Sequence, residues 1–408
     1  MGINAISIAP AKPCDLRVRV ANTTNGAGMK PGRGVPGRGR HGATRATLLL
    51  HACLDCIRVP PSAGRDVAAN AACAHDRRCL CQDRCMLLPR CLRSLSVDPR
   101  AHPRGQAHLS AASGLVKVAG QFYMVADDEH HLGQFDAVGR DDMPVRLLRL
   151  FEGELPKGKG KRKAAKPDLE SLVLLPPLPG CPHGALLALG SGSRPTRETG
   201  VLIALDAQGE IIGRAAPVDL SALYAPLRAR FADLNIEGAF VASGELRLLQ
   251  RGNLADARNA CIALDWNQVA PWLAGQKPAP PAPKTIQAIE LGSVDGVPLG
   301  LTDGAALSAG AWVFCAVAEI TDSSYHDGHC AGSAVGVVGP DGTLRRLEFL
   351  QGAPKVEGIA VQVDGSELVL TLVTDADDPA IASQLLEVRL AKSIVDASGS
   401  GLMPSRLA

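Results

Sequence analysis

Four acids share one local setting: Glu170, Glu237, Asp303 and Glu357 each precede a small residue (Ser171, Gly238, Gly304, Gly358) with apolar residues following. Ser113-Gly114 repeats the setting with serine in the acid's place, and the small residue recurs after 57, 67, 66 and 54 residues. If the repeats bring these side chains around one opening, two carboxylates about 6 Å apart repel by roughly 3 kcal/mol at an effective dielectric of 20. Such a ring is relieved by a bound cation, by raised carboxyl pKa values, or by cationic side chains reaching inward. Calcium is the metal that fits, because it accepts hard oxygen ligands from several loops at flexible distances. Its expected ligands are Glu170, Glu237, Asp303, Glu357 and Asp375. A metal-bound water would then be the nucleophile, with Glu237 or Glu357 as the catalytic carboxylate. The competing reading is that the acids accept hydrogen bonds from backbone amides of neighbouring repeats and hold the ring together.

The elements that must position these residues are strands. In the first repeat, residues 115–119 and 122–126 are joined at Gly120 by a turn too short for anything but an antiparallel hairpin. Residues 239–242 and 245–250 flank Ser243-Gly244, and residues 359–363 and 367–374 flank Asp364-Gly365. Third strands follow at residues 201–206, 260–265, 334–338 and 385–390. Helical periodicity is confined to a turn or two near residues 220–231. Three or four strands per repeat is a propeller blade. The chain therefore reads as all-β, a five-bladed β-propeller over residues 86–392, with six blades as the alternative and residues 393–408 as a disordered tail. The last repeat runs out after its third strand, so residues 91–97 are expected to return as its outer strand and cover an open edge.

In a propeller the first strand of each blade lines the channel, and the loop after the second strand returns to the same mouth. Asp127, Asp128, Arg194, Arg251, Asn253 and Glu319 are thus the expected ligand-binding rim, with Arg194 and Arg251 as neutralising cations. His326, Asp327, His329 and Cys330 crowd one loop and, like His130 and His131, could form a general base or metal site. No G-x-S-x-G, H-E-x-x-H or P-loop occurs, so serine-esterase, zincin and nucleotide-hydrolase readings lack their signatures.

The net charge of +2 conceals two regions. Residues 1–105 carry 17 Lys and Arg against 6 Asp, with no Glu, Phe, Tyr or Trp, and the remainder carries 26 against 35. Ordering some hundred residues costs on the order of 150 kcal/mol of conformational entropy, and a segment without aromatics has little apolar surface to offset it. Residues 1–85 are therefore expected to be an unstructured leader, upstream sequence read through from a misplaced start, with the functional chain beginning near Met86. Its G-x-G-x-x-G at Gly32 follows no strand and meets Pro36 where a helix should begin. The cysteines between Cys53 and Cys91 lack a second C-x-x-C at zinc spacing. Arg33, Arg38 and Arg40 have no interleaved aromatics, so nucleic acid is not an expected partner, and the run from Lys157 to Lys163 reads as a solvated loop. No apolar run reaches the roughly 20 residues that span a bilayer, and unpaired cysteines suit a reducing compartment. The expectation is a cytoplasmic monomer.

Ser110-Ala111-Ala112-Ser113-Gly114-Leu115, Val125-Ala126-Asp127-Asp128-Glu129, Asn235-Ile236-Glu237-Gly238 and Val356-Glu357-Gly358-Ile359 with Thr374-Asp375-Ala376-Asp377-Asp378 resemble an uncharacterised bacterial β-propeller family. Their Glu-Gly starts are also similar in pattern to phytase-like esterase propellers. The resemblance covers about residues 92–390; it implies the fold and supplies no activity. Two functions are compatible with the residues. One is binding of a small polar or phosphorylated ligand at the acidic mouth through Ca2+, with ester or phosphoester hydrolysis. The other is a non-catalytic scaffold for protein partners.

Overall fold

The computed structural model describes residues 86–136, 143–326 and 328–393; the leader expected from sequence and residues 394–408 of the expected tail lie outside these. Five four-stranded antiparallel sheets account for nearly all its strands, and five blades, not six, form the ring. From the axis outward, blade 1 is Ala112–Val118, Gln121–Ala126, His131–Asp136 and Arg146–Arg149. Blade 2 is Leu169–Leu175, Ala185–Gly190, Thr199–Ala204 and Ala216–Asp219, and blade 3 is Ile236–Ala242, Glu245–Gln250, Asn259–Asp265 and Thr285–Ile289. Blade 4 is Gly300–Ala306, Trp312–Glu319, Cys330–Val338 and Leu344–Phe349. Blade 5 takes Val356–Asp364, Glu367–Thr374 and Gln384–Ala391 from the end of the chain, and Arg90–Ser94 pairs antiparallel with Gln384–Ala391 in the outer position.

Hairpins between the first two strands are set by turn chemistry. Ala119-Gly120 and Ser243-Gly244 are two-residue loops with positive φ at both positions (47° and 91°, 51° and 74°), which matches the twist of the flanking strands. Each innermost strand packs against the innermost strands of both neighbours, which closes the ring. The apolar faces are buried between blades rather than within them: there are five hydrophobic clusters, one for each junction. Phe240, Trp312 and Phe314 fill the junction of blades 3 and 4, and Leu95, Val97, Leu115 and Phe122 fill that of blades 5 and 1.

Three short helices decorate the connections. Ser221–Arg228 falls in the region where the sequence allows a turn or two. Trp266–Leu273 was not foreseen; Asp265 caps it by accepting a hydrogen bond from the Asn267 amide (3.0 Å). The basic run from Lys157 is not a solvated loop throughout: Lys159–Ala165 is helical, and Arg162 is buried through contacts with Asp128 and with the Lys157 carbonyl (2.9 Å). No helix among the described residues is long and apolar enough to cross a membrane.

Candidate functional site

The acids reach one end of the ring because the innermost strands are bulged there. The register shifts between Leu169 and Ser171, Ile236 and Gly238, and Val356 and Gly358, leaving Glu170, Glu237 and Glu357 outside the ladder. A bulge bends its strand and re-aims the extra side chain. The small residue that follows is a matter of room. A Cβ on Gly358 would lie 2.0 Å from the Ser113 carbonyl oxygen of the next blade, and one on Gly238 would lie 2.7 Å from Asp303 Cα.

Blade 4 departs from this pattern, and one sequence expectation is corrected there. Its shift falls between Leu301 and Asp303, so Thr302 occupies the position of Glu237 and Glu357. Thr302 Oγ1 donates to the Val356 carbonyl (2.8 Å). Asp303 lies one residue farther along, 1% exposed, where its carboxylate accepts the amides of Gly304 (2.8 Å) and Ile359 (3.0 Å). Burial pushes its carboxyl well above the usual range, against the opposing pull of these amides and those of Leu115 and Ala239. Asp303 is bound to the ring itself, and its oxygens do not face the mouth as a metal ligand would.

The other predicted positions meet around a cleft of ≈ 620 Å³, its open entrance included. Ser113, Glu170, Glu237 and Glu357 border it from the first strands, Glu319 from the end of a second strand, and Asp127, Arg251, Asn253 and Asp375 from the loops after the second strands. Protein cations answer much of the repulsion. Arg251 Nη1 lies 3.1 Å from Glu237 Oε2 and 3.7 Å from Glu357 Oε2, and its Nη2 pairs with Glu319. Lys355 Nζ lies 2.7 Å from Asp377, 3.4 Å from Glu357 and 3.6 Å from Glu319. Lys166 pairs with Asp127 and, at 2.8 Å, with Asp168, while Arg197 Nη1 donates to Asp168 Oδ2 (2.7 Å).

The carboxyls still titrate high. Burial, with Glu237, Asp168 and Asp127 nearby, drives Glu170 well above the usual range. Burial also raises Asp375, and it raises Glu237 against the pull of Arg251. Glu357 is pushed up to about 7 by burial, with Arg251 and Lys355 holding it down. Its Oε2 is buried and accepts no hydrogen bond from any described residue. Asp127, Asp168 and Glu170 bring one oxygen each within 4.8 Å of one another, a metal-like spacing, although the Lys166 ammonium binds two of these three residues.

Several predicted residues lie elsewhere. Asp128 borders an adjoining cleft and pairs with Arg104 (3.2 Å) and Arg162 (3.1 Å); burial, then Asp127 and Glu129, lift its carboxyl to about 6. Arg194 does not border the mouth cleft but lies 3.9 Å over the ring of Tyr325, so it neutralises no ring acid. His326 borders the mouth, whereas Cys330 opens the third strand of blade 4 and Asp327 lies outside the described residues. His131 is buried in blade 1 with Nδ1 unpartnered, and burial lowers its pKa. The sequence reading missed Lys166, Asp168, Arg197 and Lys355. A signal existed for two of them. Asp168-Leu169-Glu170, Asn235-Ile236-Glu237 and Lys355-Val356-Glu357 place a polar residue two positions before each bulge acid, on the same side of the strand.

A sequence profile for one family matches residues 108–390, from the first blade to the third strand of the last. The chain belongs to the DUF6929 family of unknown function. No curated protein matches this DUF6929 member in sequence. Among solved structures it is similar to the glutaminyl cyclase of Myxococcus xanthus, at 14% identity and a TM-score of 0.39 over 75% of this chain and 97% of that one. It is likewise similar to the α-L-arabinofuranosidase PaAbf62A of Podospora anserina, solved with cellotriose, at 10% identity and a TM-score of 0.40 over 74% of this chain and 96% of that one.

Proposed function

We propose that the mouth of this DUF6929 propeller binds a small polar ligand, and that Glu357 is the group that meets it. The observation that carries this reading is Glu357 Oε2, which belongs to a residue 5% exposed, borders the cleft and accepts no hydrogen bond from any described residue. A buried acceptor left unmatched costs about 1–3 kcal/mol, more when charged. A ligand hydroxyl, amide or ammonium removes that cost on binding. A phosphorylated ligand is less well supported, since Arg251, Lys355 and Lys166 are each already shared between carboxylates.

Ester or phosphoester hydrolysis is the second reading, favoured by a Glu357 carboxyl near 7. A group titrating near the working pH suits a general base that deprotonates an attacking water. Calcium would be held by Asp127, Asp168 and Glu170, in competition with Lys166. A cytoplasmic monomer is the setting we assume, and a non-catalytic protein scaffold is the alternative function.

A thermal-shift screen of the full chain tests the reading against polyols, amines, phosphate esters, lactones and calcium with EDTA reversal. A ligand at 100 times its Kd stabilises by about 2.7 kcal/mol, a shift of several degrees that Glu357→Gln should cut by about half or more. If no compound of any class moves Tm, the mouth acids are structural and the scaffold reading replaces this one.

A further inference from the structure

The mouth has a charge preference that narrows the ligand class. Eight carboxylates border the cleft against five Lys and Arg, so an entering group meets a surplus of acceptors. The chain's own cations show what these acceptors are spaced to hold. Lys166 places its ammonium between Asp127 and Asp168, and Lys355 places its ammonium among Asp377, Glu357 and Glu319. Both are single positive charges with three donors directed at carboxylates from different blades. Calcium would need six to eight oxygens and would sit against these fixed ammonium groups. An inorganic anion would face the carboxylates while competing for cations that are already paired.

Two bulge acids retain accepting capacity. Glu357 Oε2 is buried with no hydrogen-bond partner among the described residues, and Glu170 borders the same cleft, where the Lys166 charge attracts it. Glu237 stands between them electrostatically: it raises both, while its own oxygens take Asn235 Nδ2 (2.5 Å) and Arg251 Nη1 (3.1 Å).

Resting on the binding reading above, we infer that the group recognised at the mouth is a primary ammonium of a small organic amine. Its N–H donors go to Glu357 Oε2 and Glu170, and Glu237 supplies the third flanking charge. Burial raises the Glu170 and Glu357 carboxyls, that of Glu357 to about 7, and an incoming positive charge lowers them, so binding near pH 7 releases protons from Glu357.

Calorimetric titration of the full chain at pH 8 and constant ionic strength decides the matter with probes matched in length. 1,4-Diaminobutane is expected to bind and to raise Tm, and 1,4-butanediol, inorganic phosphate and calcium chloride are expected to do neither. A charge-assisted hydrogen bond contributes about 1.5–3 kcal/mol, so Glu170→Gln and Glu357→Gln should each weaken the diamine by about tenfold or more. Each substitution keeps the shape of the side chain and leaves the circular dichroism spectrum unchanged; if one variant fails to fold, the other carries the test. Equal binding of diamine and diol, or diamine binding unchanged in a folded variant, overturns the inference. If phosphate, the diol or calcium shifts Tm and the diamine does not, the ammonium assignment falls while ligand binding at the mouth stands. If none of these probes and none of the wider panel binds, both readings fall.

Discussion

Blades 4 and 5 open with carboxylates that look equivalent in the sequence, Asp303-Gly304 and Glu357-Gly358, yet they stand one residue out of register. The offset gives the two buried acids opposite surroundings. Asp303 is enclosed by backbone amides of its own blade and of others, donors that are part of the ring and cannot leave. Glu357 faces the cleft, its charge is answered by Arg251 at 3.7 Å and Lys355 at 3.4 Å, and its Oε2 has no donor among the described residues. Burial alone therefore does not identify a chemical group in this ring. What separates the two is whether the donors come from fixed backbone or are missing.

The largest effect that can break this comparison is expected at Asp303. Asp303→Ala removes the acceptor for the amides of Gly304, Ile359, Leu115 and Ala239 in a dry site. Each buried donor left unmatched costs about 1–3 kcal/mol, so the sum is several kcal/mol. For a domain of this size that corresponds to a Tm lower by about 10 °C or more. Glu357→Gln, measured in the same thermal melts, should change Tm little or raise it. Equal losses in the two variants would remove the distinction between a structural and a chemical acid.

The reading from sequence went wrong at this same place. The ring of blades was legible because strand alternation, hairpin glycines and the recurring acid–small pair are local signals, and each repeats several times. Asp303 was grouped with Glu357 because both precede glycine, and register within a bulge is decided by contacts across the ladder that spacing does not carry. Lys166 and Lys355 were missed for a related reason. Their charges matter only once Asp127 and Glu319, far away in sequence, are brought beside them. Arg194 shows the converse: its position after the second strand suited the rim, but Tyr325 from blade 4 lies under its guanidinium.

Lys355→Met sharpens the contrast from the side of the cations. It leaves Glu357 with Arg251 as its remaining cation among the described residues and removes the ammonium from Asp377 and Glu319. Breaking a buried ion pair on one side costs about 3–5 kcal/mol, and the Glu357 carboxyl should titrate higher than about 7 as a result. Chemical denaturation at pH 8 measures the first, and titration of a 13C-labelled Glu357 carboxyl by NMR measures the second. An unchanged Glu357 titration would mean that Lys355 serves Asp377 alone.

The smallest expected effect is a pH dependence with a definite sign. Glu357 titrates near 7 when folded against an ordinary value of 4.5, so between these limits the folded chain holds a proton that the unfolded chain has released. Stability then falls as pH rises through this window, because the slope follows the protons bound unfolded minus those bound folded. Glu170, raised by burial, adds to the same slope. Glu129 opposes it at lower pH, since His102 and Arg104 hold its carboxyl below the usual range in spite of burial. Melts of the full chain should therefore show Tm rising by a few degrees from pH 8 to pH 6, and Glu357→Gln should flatten that rise. Asp303, whose carboxyl burial raises well above the usual range, contributes a slope of the same sign, because the unfolded chain has released the proton that the folded chain keeps, so Asp303→Asn should flatten the rise as well. A slope left unchanged by Glu357→Gln would mean that Glu357 brings no proton into the folded state in this window.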